Sequence, residues 1–122
     1  MRIALVAPLV TTIAQPFVGG AQAVVAALAQ GMVQRGHQVT LFAREGSSVP
    51  GVDIVQIPTP DAVLPSKFSM PGTTSPADAG FFAQANLFLD LFLDLRQRAH
   101  DFDLIHAHAF DWPSFVCSAI IT

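Results

Sequence analysis

The residues best suited to chemistry fall in short groups along the chain. The first is His106-Ala107-His108. Alternate side chains of an extended strand share a face, so both imidazoles point the same way. Placed at the carboxyl end of a parallel strand, such a pair can hydrogen-bond polar groups of a ligand. With Asp111 as a third ligand it can also be read as a metal site. A purely structural reading stands beside both, with one satisfied core histidine and one surface histidine. The second group is Gly19-Gly20, directly before an amphipathic stretch. A helix N-terminus carries unpaired N–H groups and partial positive charge, and glycines let a phosphate approach the backbone closely. The pair therefore reads as a diphosphate cradle, or as a flexible loop that needs positive φ. It is neither a GxGxxG fingerprint nor a Walker loop, since no Gly-Lys-Ser or Gly-Lys-Thr follows. Asp111-Trp112 offers an indole face of the kind that packs on sugar C–H groups, although helix packing is the commoner role of such a Trp. His37 opens a strand at the end away from the ligand edge, which favours a structural role.

These residues need elements to position them. Arg2 to Ala7 is a short apolar run stopped by Pro8, as expected of a strand buried on both faces. Residues 9 to 20 form a loop. Val24, Val25, Leu28, Met32 and Val33 repeat at helical spacing over 21–35, with Arg35 in the last turn and Gly36 as the C′ residue. Gln38 to Ala43 and Val52 to Ile57 read as further strands. Residues 58 to 80, rich in proline, read as a long irregular connection of a functional or mobile kind. A second helix follows over 81–100. Asn86, Asp90, Asp94 and Arg98 line its polar face, and its remaining positions are mostly apolar. Asp103 to His108 is the fourth strand. Pro113 opens a last helix, capped by Asp111 or Trp112. The order β-α-β-β-α-β-α predicts an α/β, Rossmann-like parallel sheet in order 3-2-1-4 with helices on both faces.

Composition narrows the function. The chain has 122 residues, 52% of them hydrophobic and 12% charged, and a net charge of -3. One domain is expected, with more apolar surface than it can hide alone. No basic stripe is present, which excludes a typical nucleic-acid binder. The single Cys117 cannot form an internal disulfide, so a reducing, cytoplasmic setting is expected. The start resembles a signal peptide, but Pro8 interrupts its apolar run and the same residues suit a buried strand. Asp90 and Asp94 break the longest apolar stretch, so no transmembrane helix is expected. The chain stops inside an apolar stretch, Ala119-Ile120-Ile121-Thr122, which reads as a truncated domain prone to self-association.

Three segments in order carry a family resemblance: the N-terminal strand and loop to Gly19-Gly20, then Arg35-Gly36-His37-Gln38-Val39-Thr40, then Asp103-Leu104-Ile105-His106-Ala107-His108. Together they resemble the N-terminal, acceptor-side domain of retaining GT-B glycosyltransferases. That group contains sucrose synthases, glycogen synthases and mannosyltransferases of lipid glycans. The resemblance implies a second, donor-binding domain absent from this chain, with the active site in the cleft between the two. It implies that Gly19 and Gly20 approach the diphosphate of a nucleotide-sugar donor and that His108 bonds the reacting sugar. His106 would be mainly structural. The loop near Gln15 to Val18, with Phe17, and the 59–80 connection would help shape the acceptor site; Asp111-Trp112-Pro113 departs from the family pattern and maps to no known acceptor class, so Asp111 and Trp112 are acceptor-binding candidates by the chemistry of the indole alone. No metal or other cofactor is implied, because helix N-termini and basic groups hold the diphosphate. The partners implied are the nucleotide sugar, an acceptor and the missing domain, with peripheral placement at the inner face of a membrane as an option. The isolated chain is expected to be inactive. Rival readings are a non-catalytic Rossmann-like binding module and a nucleotide-sugar epimerase or dehydrogenase. The missing GxGxxG, and Arg44 where an acidic residue would end the second strand, weigh against the latter.

Overall fold

The computed structural model describes residues 1–9, 12–17, 20–58, 76–108 and 117, and for 76–85 the backbone alone. The elements run β1 (Arg2–Val6), α1 (Gly20–Gln34), β2 (Gln38–Arg44), β3 (Asp53–Ile57), α2 (Pro76–Gln97), a single 3-10 turn (Ala99–Asp101) and β4 (Leu104–Ala107). The sheet order is β3-β2-β1-β4, and all three pairings are parallel. This is the expected α/β, Rossmann-like arrangement. Parallel neighbours require crossovers, and right-handed crossovers place α1 and α2 on opposite faces.

Alternation along the strands divides the core in two. Leu5 and Ala7 of the β1 segment and Val39, Leu41 and Ala43 of β2 pack under Val25, Ala26 and Ala29 of α1. Ala4, Val6 and Phe42 face the other way, onto Phe88, Leu91, Phe92 and Leu95 of α2. Phe42 and Phe92 are fully buried. Phe42 also meets Phe102 edge-on, with ring centroids 6.0 Å apart, while the Arg98 guanidinium lies 5.5 Å from its ring centre. Cys117 joins this second cluster, and burial pushes its thiol pKa up.

Helix α1 ends as its sequence suggests. Gly36 has φ +90°, its N–H donates to the Val33 carbonyl (3.0 Å), and the His37 N–H donates to the Met32 carbonyl (3.1 Å). That is a Schellman closure, which needs a left-handed residue at C′. It gives the Arg35-Gly36-His37 segment its physical cause. Arg35 itself lies just beyond the helix rather than in its last turn. Beneath it, the Met1 amine lies 3.0 Å from His37 Nδ1, so His37 stands at the amino edge of the sheet as expected.

Other expectations shift. Helix α2 begins at Pro76, inside the stretch read as irregular, because proline is tolerated in a first helical turn. It ends at Gln97, and the expected continuation to His100 is instead the 3-10 turn. The Asp94–Arg98 pair forms at 3.8 Å. Val24 was assigned to the apolar face of α1 but is 52% exposed, because it projects away from the sheet. Leu89 and Leu93 of α2 are also exposed. The helix expected after Pro113 and its cap lie outside the described residues, apart from helical Cys117.

Candidate functional site

All four strands are parallel, so Val6, Arg44, Ile57 and Ala107 end at one edge of the sheet. Helix α1 returns the chain from β1 to β2 and so runs opposite to them, which brings its first turn to that same edge. Gly20 opens α1 and is exposed, and a Cβ placed on it would meet nothing within 4 Å. Packing therefore does not demand a glycine there, and the backbone is open to an approaching group.

The loop that precedes α1 is fastened to the β2–β3 connection by a buried hydroxyl and a backbone bond. The Ile13 N–H donates to Ser47 Oγ (2.8 Å), and the Ser47 hydroxyl donates to the Arg44 carbonyl (2.6 Å). The Ser48 N–H donates in return to the Ile13 carbonyl (2.9 Å). The Gln15–Pro16 peptide is cis. Held this way, Gln15 and Phe17 line a cleft of about 410 Å³ with Ala23 and Gln30 of α1 and Ser48 and Pro50 of the β2–β3 connection.

On the other side of α1 stands β4. The His108 N–H donates to the Val6 carbonyl (2.8 Å), which sets His108 one residue past β4 at the carboxyl edge. Ile105 and Ala107 pack into the α2-side cluster, so His106 and His108 face the α1 side. Their rings stack with centroids 5.8 Å apart and 20° between planes. The shared face is as the spacing predicts. The contrast of a satisfied core histidine and a surface histidine, one of the readings open to the pair, is not found among the described residues. Both are half-buried, and neither side chain makes a hydrogen bond among the described residues. Among the described strands β4 pairs only with β1. Neither histidine lines the cleft of Gln15 and Phe17. Gly19, Asp111 and Trp112 lie outside the described residues.

Sequence reading missed Gln22. It lies in the first turn of α1, in line with Val25, Ala26 and Ala29 on the buried stripe, and is 8% exposed. The other buried polar side chain of the described core, Ser47, has its hydrogen bonds made, whereas the Gln22 carboxamide has none among the described residues. A polar residue on an otherwise apolar stripe was the available signal.

Ionic contacts lie at the opposite edge. The Asp103 carboxylate accepts from the Arg2 backbone N–H (2.8 Å) and from Arg2 Nη2 (3.2 Å). These bonds hold its pKa below the usual carboxylate range. Among the described residues no three His, Cys, Asp or Glu side chains gather as a metal site, and no helix is long and apolar enough to cross a membrane.

No curated protein matches the chain. The model of Glycosyltransferase Family 4 matches residues 18–121, which take in α1, β2, β3, α2 and β4. A parallel 3-2-1-4 sheet with helices on both faces, a helix N-terminus at its carboxyl edge and a match of that extent lead to one assignment: the chain is a GT-B N-terminal-type domain and belongs to Glycosyltransferase Family 4.

Proposed function

We propose that this domain is the acceptor-side half of a retaining glycosyltransferase that takes a sugar from a nucleotide-diphosphate donor. The observation that supports the reading is that the open first turn of α1 and His108 both lie toward the carboxyl edge of the sheet, on its α1 side. In this reading Gly19 and Gly20 receive the donor diphosphate against backbone N–H groups and the helix dipole. His108 hydrogen-bonds a hydroxyl of the reacting sugar. The cleft of Gln15 and Phe17 shapes the acceptor side, with Asp111 and Trp112 nearby in sequence to β4. The protein then acts by orientation and charge stabilisation, the donor phosphate accepts the acceptor proton during front-face attack, and no metal is needed.

The test is His108→Ala in the complete two-domain enzyme. A polar contact that strengthens in the transition state accounts for about ten- to a thousandfold in rate. His106→Ala, which removes only the neighbouring ring, should change the rate far less. Full activity of a folded His108→Ala enzyme refutes the assignment. The 122-residue chain alone is expected to transfer no sugar, and measurable turnover by it would overturn the need for a donor-binding half.

A further inference from the structure

We propose that the groove at the amino edge of the sheet binds a free single-chain carboxylate, with the hydrocarbon tail along α1 and the head at Arg35 and His37. The groove holds about 440 Å³, within the range of small-molecule sites. Ile3 and Leu104, paired across β1 and β4, line it from the sheet, and Leu28, Gly31 and Met32 line it from α1. Leu104 is 44% exposed, an apolar side chain that the described fold leaves uncovered. Gly31 lies inside α1, where glycine is less favourable than alanine. Its φ is not positive, and a Cβ there would meet nothing within 4 Å. Neither the backbone nor the packing of the described residues therefore asks for glycine, and its missing side chain keeps the groove open. The cationic lining stands at one end, just past the C-terminus of α1, and no acidic side chain among the described residues lines the groove. The Arg35 side chain has no ion pair or hydrogen bond among the described residues. The Met1 ammonium only donates, so His37 Nδ1 accepts from it (3.0 Å) and the ring proton sits on Nε2. The carbonyls of Gly31, Met32 and Val33, which would repel an anion, are occupied by the N–H groups of Arg35, His37 and Gly36. Asp103, beside Leu104 in sequence, is engaged by Arg2. A guanidinium and an imidazole N–H at the end of an apolar trough match a carboxylate on a hydrocarbon chain.

This site lies at the edge of the sheet opposite His108 and does not depend on sugar transfer. The probe is decanoate below its micelle-forming concentration, titrated calorimetrically into the 122-residue chain, with decanol and acetate as tail-only and head-only controls. Decanoate should bind more tightly than either control. Gly31→Leu places a side chain in the groove and should weaken decanoate at least about tenfold. Its thermal midpoint should be unchanged or higher, because leucine is the better helix former and meets open space. Arg35→Gln, at an exposed position beyond the helix, should weaken decanoate about three- to tenfold and leave decanol unchanged. It keeps the test decisive if leucine at position 31 disturbs the fold. Decanoate affinity unchanged in both variants, equal affinity for decanoate and decanol, or no binding of decanoate by the wild-type chain overturns the proposal. A wild-type dimer that Gly31→Leu splits gives the groove to a second copy, and binding to phosphatidylglycerol vesicles without binding of monomeric decanoate gives it to a membrane surface; either result overturns the proposal.

Discussion

Ser47→Ala is a demanding test of how the site is built. The substitution removes one oxygen, and that oxygen is the acceptor for the Ile13 N–H (2.8 Å) and the donor to the Arg44 carbonyl (2.6 Å). The Arg44 carbonyl keeps a partner, since the Ser47 backbone N–H also donates to it (3.2 Å). The Ile13 N–H keeps none, and Ile13 is fully buried, so water cannot replace the lost acceptor without opening the loop. A buried donor left unpaired costs about 1–3 kcal/mol. The missing hydroxyl leaves too small a void to add much, so a loss of about 2 kcal/mol is expected. For a domain of this length that is a fall of roughly 6–10 °C in melting temperature. Urea unfolding should show a lower midpoint at unchanged slope, since the exposed area is the same. Amide exchange at Ile13 should accelerate more than at Leu5 or Leu41, because the opening is local to the loop that carries Gln15 and Phe17. A loss below about 0.5 kcal/mol with Ile13 still protected would refute the claim that this hydroxyl helps to fasten the loop.

Three further outcomes follow from the packing and the caps. Phe42→Ala should cost about 3–5 kcal/mol in urea unfolding, because Phe42 fills the α2 side of the sheet with no exposed surface. Gly36→Ala should cost about 1 kcal/mol through its φ of +90° alone, since a Cβ there meets nothing within 4 Å; Gly36→Asn, which tolerates that conformation better, should cost less by the same assay. Asp103, whose folded pKa is lowered first by the Arg2 backbone N–H, stabilises the fold above its unfolded pKa and loses that contribution as pH falls through the folded one. Asp103→Asn should therefore flatten the acid limb of a plot of urea midpoint against pH, and an unchanged limb would remove Asp103 from the cause.

The sheet was legible because its evidence is local. Buried strands read as apolar runs, and one helix between two of them leaves few topologies once crossovers are right-handed. The turn at Gly36 was legible for the same reason: a C′ glycine needs only its own helix. What was not legible depends on neighbours. The Pro76 start of α2 was hidden because proline signals both a loop and a first turn, and Gly80 strengthened the wrong choice. Val24 fits the apolar spacing of α1, yet spacing does not show how wide a stripe the sheet covers. The surroundings of His106 depend on what stands beside β4, which no period in the strand records. Gln22 was overlooked because periodicity counts apolar residues, and the informative one was polar.

The two faces of the sheet divide the work unequally. On the α2 side the strands meet phenylalanines and leucines, and the residues there serve packing: Phe42, Phe88, Leu91, Phe92 and Leu95. On the α1 side the helix contributes Ala26 and Ala29 against Leu5 and Leu41. Small side chains let a helix lie close to a sheet, which draws the first turn of α1 in over the carboxyl ends of β1 and β2. Among the described residues, the exposed Gly20 backbone and the Gln22 carboxamide in that turn have open hydrogen-bonding capacity, and so do the imidazoles of His106 and His108, which face the same side of the sheet from the β4 segment. Under the proposed function, alanine at 26 and 29 serves the site as well as the packing. A larger residue at either would lift α1 from β1 and β2, and the same displacement would carry Gly20 and Gln22 away from the edge where His108 is fixed by its bond to Val6.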